Sequence, residues 1–168
     1  MRPIAKATPF LLLPLLAGGA NAADKPLPAA IAAPGETVVL KVHGVGMQFY
    51  DCKAGSDGKL AWTFNSPQAT LTNGSKIAGY HTEGPTWELT DGSSITAKAV
   101  GNAPGKNPND VPWLKLAVDT HKGSGLLSHV TTVQRINTVG GVLKGSCDRE
   151  KAGEGMPYSA DYVFLRKS

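Results

Sequence analysis

Leu60-Ala61-Trp62-Thr63-Phe64 carries the period that decides the fold of this chain. Strand side chains alternate between two faces, so Leu60, Trp62 and Phe64 share one face and Ala61 and Thr63 the other. Large apolar groups on one side only mark a strand resting on a core. A Gly-Ser-Asp-Gly turn at residues 55–58 precedes this segment, and before the turn Val38 to Val42 and Gln48 to Cys52 read as two more strands. After it, Ala69-Thr70-Leu71 and Lys76 to His81 flank Asn73-Gly74. That dipeptide readily takes the positive φ angles of a tight hairpin.

The same reading runs to the end of the chain. Trp87 and Leu89 alternate, Asp91-Gly92 turns the backbone, and Ile95, Ala97 and Ala99 line one face. Gly101 to Asp110 holds two prolines and two glycines and is expected to be a loop. Trp113 to Val118, Val130 to Val139 and the alternating Tyr158, Ala160, Tyr162 and Phe164 supply the last strands, with a turn at Lys122 to Gly125. No helical period appears beyond the N-terminal segment. The expected fold is one all-β domain over residues 37–168, a sandwich or a barrel of nine or ten mostly antiparallel strands. Its expected core is Leu60, Trp62, Phe64, Trp87, Leu89, Trp113, Leu116 and Ile136.

Composition agrees with that class. The 168 residues include 20 Gly and 12 Pro, too many for a helical bundle, and 18% are charged, too few for a coiled coil or a disordered acidic tail. Residues 1–22 read as a secretory signal peptide. Arg2 and Lys6 form a positive start, Phe10 to Ala17 a short apolar run, and Ala20-Asn21-Ala22 a small-x-small cleavage pattern. The run is too short to span a bilayer, so no transmembrane segment is expected. Removal of Arg2 and Lys6 would take the formal charge from +4 to +2, no basis for nucleic-acid binding. The Ala- and Pro-rich stretch 23–36 then reads as an extended lead-in to the domain. The chain is expected in the periplasm or outside the cell. There a lone pair of cysteines, Cys52 and Cys147, is expected to form a disulfide, the alternative being two buried thiols.

The order of several rare residues resembles a known family. Gly46-x-Gln48-x-Tyr50-x-Cys52, Trp62, Gly84-Pro85-Thr86-Trp87-Glu88 and Asp91-Gly92-Ser93 form a first half. Trp113-Leu114, Val133 to Thr138 with Gly140-Gly141, Cys147 and Tyr158-x-Ala160-x-Tyr162-x-Phe164 form a second. Together they resemble the exported bacterial and fungal proteins grouped as domain of unknown function 3455. The resemblance implies a secreted single domain without an established activity. Some fungal relatives carry a malate-dehydrogenase-like label. The residues here do not support it, because no strand-Gly-x-Gly-x-x-Gly-helix unit exists to hold a dinucleotide, and no cofactor is expected.

Residues able to do chemistry are few. His43, His81, His121 and His129 never form the His-x-His spacing that puts two metal ligands on one strand face, so no metal is assigned. His81 and Glu83 are two apart, which would align them on a strand, but Gly84-Pro85 interrupts it. Glu83, Glu88 and Asp91 are candidate paired carboxylates, and no Gly-x-Ser-x-Gly nucleophile motif occurs. Gln134-Arg135-Ile136-Asn137-Thr138 places sizeable polar groups on both faces of one strand. They either satisfy backbone groups of neighbouring loops or line a pocket. A guanidinium on a rigid strand suits a carboxylate or phosphate. The expectation is a non-catalytic binding or envelope-associated module for a small molecule or envelope component. Its site residues are His81, Glu83, Trp87 and Arg135, with no catalytic residue. The alternative is a metal- or carboxylate-dependent secreted enzyme around His81, Glu83, Glu88 and Asp91.

Overall fold

The alternation along Tyr158 to Phe164 becomes the inner wall of a closed barrel, in which Tyr158, Ala160, Tyr162 and Phe164 are all buried in one apolar cluster. The computed structural model describes residues 26–167. Eight strands follow one another around the ring: β1 Thr37–Ala54, β2 Leu60–Asn73, β3 Lys76–Thr82, β4 Thr86–Leu89, β5 Ser94–Ala103, β6 Trp113–Lys122, β7 Thr132–Gly140 and β8 Gly153–Arg166. Every neighbouring pair is antiparallel, and β8 closes on β1 from Thr37 opposite Arg166 to Asp51 opposite Gly153. The ring leaves no long unpaired edge, the liability of an open sheet. Eight strands enclose an interior just wide enough for side chains to fill or for one small ligand.

The count is eight rather than nine or ten because two expected breaks are continuous strand. Val38 to Val42 and Gln48 to Cys52 are joined through His43 to Met47 into β1. Gly44 within that join is a space requirement, since a Cβ there would lie 2.8 Å from the Tyr162 ring. Leu60 to Phe64 and Ala69 to Leu71 are likewise joined into β2, through Pro67. A register shift between Phe49 and Tyr50, opposite Ser66 and Phe64, leaves Asn65 as an extra residue. Proline is tolerated beside such a bulge, and the extra residue reverses which parity points inward. Two boundaries also move: β5 runs to Ala103, inside the expected loop, and a 3-10 turn at Leu126–His129 delays β7 to Thr132.

The ends of the barrel differ. At one, the 3-10 turn inserts Leu127, fully buried, into the core. Asp91 clips it in place: its Oδ1 accepts from the Ser93 amide at 2.8 Å and hydroxyl at 2.6 Å, and its Oδ2 from the Leu126 amide at 2.7 Å. Burial would raise the Asp91 pKa, but these hydrogen bonds outweigh it and hold the carboxyl below its usual range. At the other end the β7–β8 loop is tied to β1 and β2. Cys52 and Cys147 are bonded with Cα atoms 5.9 Å apart, and the Trp62 amide donates to Gly145 O. Asp110 fixes the adjoining β5–β6 loop, accepting from the Asn107 amide and side chain and from the Gly140 amide.

The lead-in is a strap on the outside of the wall. From Pro26 onward it packs over β5 to β8, burying Ile31 completely against Ala103, Ile136, Val163 and Leu165. Gln134 Nε2 donates to Ile31 O at 2.7 Å and Lys115 Nζ to Ala32 O at 2.9 Å. Ile136 and half-buried Trp113 therefore belong to this outer cluster rather than to the barrel interior. The expected signal peptide, and residues 23–25 of the lead-in, lie outside the described residues.

The expected core needs one further correction. Trp87, Leu89 and Leu116 are buried inside, but Leu60 and Trp62 are only half-buried and Phe64 is 48% exposed. The facing was right and the filling was not. Phe64 pairs with Tyr50, and Trp62 with Cys52, so both share the face of buried residues, yet Phe64 stands where the barrel end is unfilled and Trp62 lies outside the lining of that space.

Candidate functional site

The unfilled end opens into a cavity of about 510 Å³ inside the barrel. Its floor and walls come from seven of the eight strands, all but β5: Gln48 and Tyr50 of β1, Phe64, Asn65 and Pro67 of β2, His81 and Trp87 of β3 and β4, Leu114 and Leu116 of β6, Arg135 of β7 and Tyr162 of β8. Gly84-Pro85 of the β3–β4 turn and Val111-Pro112 before β6 complete the rim. The volume falls within the range of ligand pockets, and the lining is mostly apolar with a few polar groups.

An aromatic cluster forms the base. His81 stacks on Trp87 with ring centroids 4.4 Å apart and planes 9° from parallel, a direct result of their pairing across β3 and β4. Tyr162 stands edge-on to Trp87 at 5.8 Å, and Phe164 at 6.2 Å. His81 Nδ1 donates to the Thr86 carbonyl at 2.8 Å, which fixes the tautomer and leaves Nε2 with its lone pair. Burial lowers the His81 pKa from 6.5 to about 4; the Thr86 hydrogen bond opposes this and the positive charge of Arg135 adds to it. His81 is therefore a neutral ring at physiological pH. Burial likewise pushes the Tyr162 hydroxyl well above its usual range, while its 3.0 Å partnership with Tyr158 keeps it hydrogen-bonded.

Arg135 stands at the mouth, with Nε and Nη2 donating to Pro112 O at 3.2 and 2.9 Å. This pair of bonds holds the guanidinium in one orientation against the β5–β6 loop. Two side chains on the wall are left with an unanswered donor. Gln48, 2% exposed, and Trp87, 1% exposed, have no partner for Nε2 and Nε1 respectively. Gln48 lies close to the Tyr158 hydroxyl and acts on it as a weak donor that lowers its pKa, though Nε2 falls short of full hydrogen-bond geometry. A buried donor without a partner costs roughly 1–3 kcal/mol, but both atoms have essentially no accessible surface, so an acceptor in the cavity reaches either only once the side chain turns toward it.

Of the residues singled out from the sequence, His81, Trp87 and Arg135 meet on this one cavity and Glu83 does not. Glu83 is exposed in the β3–β4 turn, where its carbonyl accepts from the Thr86 hydroxyl. Glu88 is exposed on the outer face opposite Tyr80, and Asp91 clips the plugged end, so the candidate carboxylates are dispersed rather than paired. Among the described residues no three His, Cys, Asp or Glu side chains gather as a metal site. Sequence reading missed Gln48, Tyr50, Phe64 and Tyr162 as cavity residues. The available signal was Gln48: it alternates with Tyr50 and Cys52 and so puts an amide on an inward face. The polar residues of β7 divide as the chemistry allows. Gln134 binds the strap outside, Asn137 Nδ2 donates to Asp161 on the wall at 2.9 Å, and only Arg135 reaches the cavity.

Residues 33–166 match the family described as Protein of unknown function (DUF3455). No curated protein and no solved structure matches the chain. No helix among the described residues is long and apolar enough to cross a membrane.

Proposed function

The chain belongs to the DUF3455 family of unknown function, and from that premise we propose that it is a non-catalytic binding module whose open barrel end holds one small molecule. The observation that carries the reading is the cavity of about 510 Å³, mostly apolar, with Arg135 at its mouth. A cavity formed by poor packing would sacrifice dispersion contacts for nothing. Here its rim is instead held by the disulfide, by Asp110 and by the Arg135–Pro112 bonds. The wall has no Ser, Cys, Lys, Asp or Glu, and its histidine is neutral with a pKa of about 4. That inventory supports holding a molecule more than transforming it. Export supports the same picture, because the pattern of residues 1–22 and a structural disulfide both suit a periplasmic or extracellular protein.

Titration with the neutral fluorescent probe N-phenyl-1-naphthylamine tests the reading. One saturable site per chain is expected, and Leu114→Trp, which adds a bulky ring to a half-buried position on the wall, should abolish it in a protein with unchanged far-ultraviolet spectrum. Binding that persists undiminished in that variant would place the probe elsewhere and reject the cavity as the site.

A further inference from the structure

The polar groups on the cavity wall are biased in one direction. Both unanswered buried atoms, Gln48 Nε2 and Trp87 Nε1, are donors, and the one charged lining residue is the cation Arg135. No carboxylate lines the cavity to repel an anion or attract an amine. His81 adds no charge, since its proton is committed to the Thr86 carbonyl and burial keeps the ring neutral. The remaining wall is apolar and aromatic, with Phe64 the most accessible ring and Tyr50, Trp87 and Tyr162 packed behind it.

Resting on the binding reading above, we infer that the cavity's ligand class is a small apolar or aromatic monocarboxylate, its carboxylate at Arg135 near the mouth and its body against the Trp87 base. The charge count favours a monoanion. An arginine has five N–H groups, and Nε and Nη2 each commit one to Pro112 O, leaving an oriented remainder that suits one carboxylate. A dianion such as a phosphate monoester would bring a second charge to a site with no second cation to match it. An amine would meet the like charge of Arg135 and no carboxylate.

Calorimetry at neutral pH and physiological salt with matched probes tests the class. 2-Naphthoate, 4-phenylbutyrate and octanoate are each compared with their methyl ester and with the amine of the same body. At least one carboxylate should bind about tenfold or more tightly than its ester, and the amines weakest. Arg135→Gln should reduce the carboxylate-over-ester preference to about twofold, a ratio that cancels any loss both ligands share through the Pro112 contact, and Arg135→Lys should restore part of it. Because Arg135 also holds Pro112, Gln48→Leu serves as an independent variant and should lower carboxylate affinity several-fold with little effect on the ester. Esters or amines binding as tightly as the carboxylates, or a preference that survives both Arg135→Gln and Gln48→Leu in folded protein, would overturn the inference. Failure of every member of the series while N-phenyl-1-naphthylamine still binds would also overturn it, leaving the cavity as a site for another class. Failure of that probe as well would remove the binding reading beneath it.

Discussion

Two phenylalanines on inward-facing positions have opposite fates. Phe164, on β8, is fully buried among Trp87 and the apolar cluster, whereas Phe64, on β2, is 48% exposed at the cavity mouth. The difference is in the two ends of the barrel. One is plugged by Leu127 and closed by the Asp91 clip, so its interior is packed. The other has its loops tied back by Cys52–Cys147 and Asp110, so its interior stays open. An inward position is thus not yet a core position. Alternation sets the face, and the connections decide whether anything fills the space in front of it.

The largest expected effect follows from the packed end. Phe164→Ala should cost roughly 3–5 kcal/mol, the range for deleting a buried aromatic ring, measured as a shift in denaturant midpoint. Comparable loss on Phe64→Ala would break the distinction between the ends. Next is the disulfide, which spans 95 residues of sequence and anchors the open end. Replacing both cysteines with serine should cost about 2–5 kcal/mol and weaken probe binding as well, because the rim loses its staple. Stability lost with probe affinity intact would show that the rim does not need the bond.

His81 gives an effect of intermediate size and defined sign. The unfolded ring gains a proton below about pH 6.5, but the folded ring does so only near pH 4. The unfolded chain therefore binds more protons in that window, and stability should decline as pH falls through it, by on the order of 3 kcal/mol. His81→Phe should flatten this segment of the stability–pH curve, and an unchanged slope would assign the acid sensitivity to other groups. Asp91 and Asp161, whose pKa values are held below the usual range, lose their contribution only under more acidic conditions. The smallest effect is Phe64→Ala itself. About 1 kcal/mol or less is expected in stability, since half the ring is already in water, together with a several-fold loss of probe affinity.

Much of this architecture can be read from the residues, and the gaps have physical causes. Alternation at Tyr158 to Phe164, the Asn73-Gly74 hairpin and the inward Trp87 are local signals, and they survive folding. The continuation of β1 through Gly44 and of β2 through Pro67 is not readable from the residues because its reasons are not local. Gly44 makes room for Tyr162 across the ring, and Pro67 sits beside a bulge whose partner strand lies well upstream in sequence. The site was legible in part for a similar reason. His81, Trp87 and Arg135 stand out by residue type, whereas Gln48 and Phe64 become site residues only through ring closure, which brings β1, β2 and β7 around one space. Glu83 lies off the cavity because spacing along a turn says nothing about which way a side chain leaves it. Ile136 is buried as expected, but on the outer face, where a strap from the start of the domain covers it.

The most direct test of the account uses the three tryptophans as reporters. Trp87 lies on the cavity wall with its indole N–H unpartnered, Trp113 lies under the outer strap, and Trp62 is half-buried in β2 outside the cavity lining. In a nitrogen–proton spectrum of labelled protein titrated with 2-naphthoate, the Trp87 indole signal should move and saturate at one equivalent while those of Trp62 and Trp113 stay in place. Movement of Trp62 or Trp113 with Trp87 unaffected, or no saturable change at any of the three, would contradict a ligand-holding cavity at the open end of the barrel.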